Sequence, residues 1–245
     1  MKTAASPRLD TLDTLRGLTL VSMIAYHACW DTVYMFGVDW AWYRSRGAFL
    51  WQQSICWTFI LLSGYCSRLG QRPVRRGVTV FAAGALVSAV TVVFLPENRV
   101  FWGVLSLLGA SMLLTAPLKP YLSRVPAAPG LAASFALFAL CYRVPQHVLG
   151  PFRLPDALYR NDFTACLGFP PRGFFSTDYF PLLPWLFLFW CGFFVYDLLP
   201  PRDSRLWRVR LPALTVLGRH SLLAYLLHQP IVYASLSALF YGGLP

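Results

Sequence analysis

The sequence predicts an all-α fold: a polytopic bundle of about seven transmembrane helices, one domain over residues 1–245, with the N-terminus cytoplasmic and the C-terminus external. Three observations predict it. Of the 245 residues 57% are hydrophobic and only 13% charged, about half the charge content of an ordinary soluble domain. Seven windows reach or approach the ~20 apolar residues that cross a hydrocarbon core about 30 Å thick. Arginine and lysine fall unevenly on alternate connections, as they do in oriented membrane proteins. The 16% aromatic share excludes a disordered chain. Six cysteines in 245 residues are too sparse for a disulfide scaffold, and five of them (Cys29, Cys56, Cys66, Cys141, Cys191) lie in apolar runs.

The windows follow in order. Leu15–Met35 is the first; Asp10, Asp13 and Arg16 lie ahead of its apolar run, which reads as a retained span, not a removable signal peptide. Ala48–Ser67 is ended by Gly70 and Pro73, Val78–Leu95 by Pro96, and Val100–Pro117 by Pro117 and Pro120. Gly130–Val144 is the shortest. Tyr179–Leu199 precedes Pro200 and Pro201, and Leu214–Phe240 is the seventh. The connection from Pro145 to Asp178, rich in aromatics and prolines, reads as an ordered external cap.

The formal charge of +11 would suggest a nucleic-acid partner in a soluble protein. Here it reads as a topology signal, with no nucleic acid expected. Fourteen basic residues, among them Lys2, Arg8, Arg68, Arg202 and Arg205, fall on one side and seven on the other. That two-to-one bias sets the cytoplasmic N-terminus, and an odd number of spans places the C-terminus outside.

Polar groups inside a membrane are costly and mark function. In the first window Arg16, Leu20, Met23, His27, Asp31 and Tyr34 recur at spacings of three and four, so they form one helical stripe. Asp31, one turn beyond His27, is placed to accept from one imidazole nitrogen and leave the other as a base. The bland alternative is a structural pair tying the helix to its neighbours. In the seventh window Ser221, His228 and Ser235 share a face, flanked by Tyr225 and Gln229. Pro230 there frees the carbonyl of Leu226 beside His228, so His228 reads equally as a site residue or as packing. The small-residue sets Gly84/Ser88/Thr91 and Gly103/Ser106/Gly109 read as close-packing faces. Arg68, Arg72, Arg75 and Arg76 form a cluster that marks topology and also suits phosphate. No HExxH or CxxC pattern occurs, and no metal site is expected.

Several of these stretches resemble one family. RLDTLDTLRGLTLVSMIAYHACWD (Arg8–Asp31), FILLSGYCSRLG (Phe59–Gly70) with Arg76 and Gly77, FWGVLSLLGASMLL (Phe101–Leu114), DYFPLLPW (Asp178–Trp185) and LGRHSLLAYLLHQP (Leu217–Pro230) are similar to motifs of the bacterial proteins grouped with the catalytic domain of heparan-alpha-glucosaminide N-acetyltransferase. The resemblance implies transfer of an acetyl group from cytoplasmic acetyl-CoA to an amine or hydroxyl acceptor, such as a glycan, across a bacterial cytoplasmic membrane. Asp13, Arg16, His27 and Asp31 match the first motif, Asp178 the fourth and His228 the last. Two departures stand out. Ser106 replaces a histidine common in bacterial relatives, and after the first span only Asp39 stands where the lysosomal member has its catalytic histidine.

The resulting expectation is a membrane acyltransferase in which His27, oriented by Asp31, is the general base or takes the acetyl group first. His228 and Asp178 complete the external half of the site. Arg16 with Arg68, Arg72, Arg75 and Arg76 holds the CoA phosphates, and membrane lipid and a homo-oligomeric partner complete the surroundings. The rival expectation is a non-enzymatic solute transporter or assembly partner whose pathway the same stripe lines; the inverted repeats that would favour transport are not visible.

Overall fold

The computed structural model describes residues 9–201 and 203–242. Lys2, Arg8 and Arg202, counted in the charge bias, and the C-terminal Pro245 lie outside the described residues. Nine α-helices occur among those described: α1 Asp10–Tyr34, α2 Arg46–Leu69, α3 Pro73–Phe94, α4 Val104–Leu122, α5 Ala127–Cys141, α6 Asp162–Ala165, α7 Leu182–Leu198, α8 Pro212–Arg219 and α9 Ser221–Tyr241. Each of the seven apolar windows overlaps a helix, the seventh overlapping two. Among the described residues three segments are by length and composition apolar enough to cross a membrane: Pro73–Phe94, Ser221–Tyr241, and Ala127–Gln146, which is α5 with its closing turn. Helix α7 is equally apolar in character but shorter.

Two differences from the sequence reading bear on the fold. The fourth window does not stop at its prolines: Pro117 and Pro120 both lie inside α4, which runs on to Leu122. Each proline removes one bond to the carbonyl four residues back. The bonds around them persist, with Ser123 N–H still closing on Lys119 O at 3.0 Å. The seventh window is not one helix. The chain leaves helical register at His220 (φ −103°, ψ 26°), where α8 ends and α9 begins. Helix α8 packs on α1, and α9 follows it after this break.

The chain forms two compact units, one from Met1–Phe59 with Pro200–Pro245, the other from Ile60–Leu199. In the first unit α1 is the central helix. Glycines let it touch α8 backbone to backbone. A methyl group placed on Gly17 would lie 1.9 Å from the Leu214 carbonyl oxygen, and one on Gly218 would lie 1.8 Å from that of Asp13. Small residues drive helix contact in lipid because apolar burial gives no preference between helix and lipid tails. The Thr14 and Thr215 hydroxyls lie 2.7 Å apart in this seam. Beside it Arg219 pairs with Asp10 at 2.7 Å and Asp13 at 3.6 Å, and Arg16 pairs with Asp13 at 2.7 Å.

Helices α1 and α9 run in the same direction. Leu20 and Met23 pack near Ala224 and Tyr225, His27 meets His228, Asp31 meets Gln229, and Phe36 meets Tyr233 and Phe240. Both numbers rise together, which only parallel neighbours allow.

In the second unit α3 packs on α4 and α5 on α7. The small-residue faces meet here: a methyl on Gly109 would lie 2.4 Å from the Phe81 nitrogen, and one on Gly84 2.6 Å from Ser106. The connection before α7 is ordered. A two-residue hairpin pairs Val148 with Arg153, the His147 and Tyr159 rings stack at 3.5 Å, and the Tyr179 hydroxyl donates to Ala165 O at 2.7 Å.

Candidate functional site

The α1 stripe faces the interior of the first unit along most of its length. Leu20 and Asp31 are fully buried and Met23 is 4% exposed, whereas Tyr34 departs to the surface at 55%. His27 and Arg16 are half-buried. The parallel run of α1 and α9 brings the two intramembrane histidines together, with ring centroids 4.8 Å apart and ring planes at 63°.

Bond by bond, the polar partners differ from the expected ones. The Asp31 carboxylate does not orient His27: its Oδ1 accepts from Gln229 Nε2 at 2.7 Å, and its Oδ2 is buried with no partner. Residues four apart on a helix can pair, but α9 sets the Gln229 amide against the carboxylate. His228 is buried, and its Nδ1 lies against the Tyr225 carbonyl one turn back. A carbonyl oxygen only accepts, so Nδ1 carries the proton. Nε2 is therefore a bare lone pair, and it is buried without a partner. Gln229 Oε1 is bare in the same way. His27 itself makes no hydrogen bond among the described residues. The sequence marked Gln229 only as a flank of His228; its cross-helix role needs the register of α1 against α9. Nor did any motif signal the bond from Trp51 Nε1 to Ser22 Oγ at 2.8 Å, which ties α2 to α1.

Asp178 belongs to the second unit. Its Oδ2 accepts from Val104 N–H at 3.1 Å at the start of α4, a favourable place for a carboxylate at a helix N-terminus. Burial nonetheless pushes its carboxyl up to about 6, against the smaller opposing effect of that N–H. Arg68 is also committed. It grips Asp197 with two bonds of 2.8 and 2.9 Å, donates to Ser123 Oγ, and lies 4.8 Å from the Phe193 ring centroid. Arg72 and Arg75 are exposed at the start of α3. Arg76 lines a shallow cleft with Lys119, Ser63, Cys66 and Thr115. Ser106 is buried against Gly84, and Asp39 makes only an exposed pair with Arg44 at 3.2 Å. Among the described residues no group of three or more His, Cys, Asp or Glu could hold a metal ion.

The family model for the catalytic domain of heparan-alpha-glucosaminide N-acetyltransferase matches residues 8–230. The chain belongs to this family. Comparison with curated proteins and with solved structures gave no match. The family match runs through every element described above except the last half of α9, and it contains the histidine pair, Asp31, Gln229, Asp178 and the arginine cluster. With the apolar helices, membership in the heparan-alpha-glucosaminide N-acetyltransferase family makes this a membrane protein of acetyltransferase type.

Proposed function

We propose that the chain is an integral, multi-pass acetyltransferase that moves an acetyl group from cytoplasmic acetyl-CoA to an amine or hydroxyl acceptor of the sugar class. The observation that carries this reading is the pair His27 and His228, in contact inside the unit, with the Nε2 lone pair of His228 prepared by its bond to Tyr225. The acceptor's N–H or O–H proton passes to an imidazole nitrogen of this pair. The acceptor atom attacks the thioester carbonyl carbon, the C–S bond breaks, and CoA leaves as a thiolate that takes up the proton. The bare Asp31 Oδ2 and Gln229 Oε1 suit an acceptor, since both await a donor. Asp31 and Gln229 lock each other, and Asp178, in the other unit, caps the start of α4. Arg72, Arg75 and Arg76 provide guanidinium groups for the CoA phosphates; Arg16 and Arg68 are already held by Asp13 and Asp197, each within its own unit.

Seven spans in a bacterial cytoplasmic membrane, N-terminus inside and C-terminus outside, fit this chemistry. The arginine bias supports that orientation. The common direction of α1 and α9 supports opposite sides for the two termini.

The test measures acetyl transfer per folded molecule. His27→Ala and His228→Ala should each insert, fold and lose about 10²–10⁴-fold in turnover, the usual cost of removing a general base. Full specific activity in either folded variant refutes its assignment to the site.

A further inference from the structure

Between α7 and α8 the chain runs through a strap whose residues alternate in character: Arg205, Leu206, Trp207, Arg208, Val209, Arg210, Leu211. Trp207 is its one inward anchor, 4% exposed, with the indole N–H donating to Pro200 O at 3.0 Å. Thr11 fixes the strap to the first turn of α1. Its hydroxyl donates to Leu206 O at 2.5 Å and accepts from Val209 N–H at 3.1 Å.

The rest of the strap is bare. Leu206, Val209 and Leu211 are 45%, 52% and 53% exposed, and Arg205, Arg208 and Arg210 are exposed between them. Arg208 reaches a backbone carbonyl, that of Asp203, at 3.4 Å. Among the described residues none of the three pairs with a carboxylate, whereas Arg16 and Arg219 beside them both do. An apolar and cationic edge therefore lies beside the first turn of α1.

We propose that this strap is a binding surface for anionic lipid headgroups. Its three guanidinium groups pair with lipid phosphate, and Leu206, Val209 and Leu211 enter the boundary between headgroups and acyl chains. The exposed apolar residues favour a lipid over a free phosphate ester, which offers them nothing to bury in. Arginines at an anionic membrane surface each contribute roughly fivefold in affinity, so the three together give a preference on the order of 100-fold. The proposal is independent of the acetyl-transfer reading.

The test uses the delipidated, detergent-purified full chain, titrated with phosphatidylglycerol, with phosphatidylcholine and with inorganic phosphate. Bound lipid is read by native mass spectrometry. The wild type should prefer phosphatidylglycerol strongly over phosphatidylcholine. Arg205→Gln/Arg208→Gln/Arg210→Gln should lose most of that preference at an unchanged circular-dichroism melting point, and Leu206→Ser/Val209→Ser should weaken both lipids. Equal affinity of the wild type for the two lipids overturns the proposal, and that arm needs no variant. So does displacement of phosphatidylglycerol by millimolar inorganic phosphate, or a triple variant that folds and keeps the preference.

Discussion

Replacing Gln229 by leucine probes the polar seam between α1 and α9 at a single bond. Asp31 is fully buried, and Gln229 Nε2 at 2.7 Å is its partner through Oδ1. Its other oxygen already has none. Leucine keeps much of the side-chain volume but removes the donor, leaving both carboxyl oxygens bare. A hydrogen bond to a charged acceptor contributes about 1.5–3 kcal/mol and a neutral one about 0.5–1.5 kcal/mol. A chain of this length loses about 2–4 °C in melting temperature per kcal/mol, so Gln229→Leu should melt roughly 3–12 °C lower when the acceptor is charged. The assay is a double-mutant cycle with Asp31→Asn, followed by thermal unfolding in detergent. In the Asp31→Asn background the same leucine should cost far less, because the charge it strands is gone, and the coupling should fall within the 0.5–3 kcal/mol seen for contacting residues. Unchanged melting of Gln229→Leu, or strictly additive losses, refutes the proposed bond and its role in holding Asp31.

Three further outcomes follow from the same geometry. Gly218→Ala gains up to about 1 kcal/mol in helix propensity, yet its methyl would meet the Asp13 carbonyl at 1.8 Å. Separating two backbones outweighs that gain, so a net loss of about 1–3 kcal/mol is expected by thermal unfolding; a stabilised variant contradicts the close approach. Asp178, raised from 3.8 to about 6, binds its proton more tightly when folded. Its contribution is full below about pH 4 and is lost as pH rises through about 6, so melting temperature should fall across that window in the wild type and stay flatter in Asp178→Asn. Reporter fusions at Gly70 and at Pro245 should report opposite compartments; the same compartment for both refutes the odd span count.

How much of this was legible in the sequence depends on which residues had to meet. The helices were readable, because each window is a local run of apolar residues bounded by Pro, Gly or charge. The break at His220 was not: Gly218, Arg219 and His220 interrupt the apolar run of Leu214–Phe240 there, but the contacts of Gly218 and Arg219 with α1 are visible only in the fold. Pro117 and Pro120 read as a stop although a helix tolerates the loss of two bonds near its end. Within the site, His27, Asp31 and His228 stood out as polar groups in apolar runs. Their partners did not. A spacing of four suggests a His27–Asp31 pair, yet the bond runs across helices to Gln229, and only the register of α9 against α1 decides that. Arg68 looked like one of four equal cations until Asp197, 129 residues away, claimed it.

The central claim is that this member of the family transfers acetyl from acetyl-CoA, and binding of acetyl-CoA to the detergent-solubilised chain tests it most directly. Isothermal titration should give saturable binding that weakens in Arg72→Gln/Arg75→Gln/Arg76→Gln, with a shallower dependence on salt because phosphate contacts have been removed. A folded, monodisperse wild-type protein that takes up no acetyl-CoA would contradict the account.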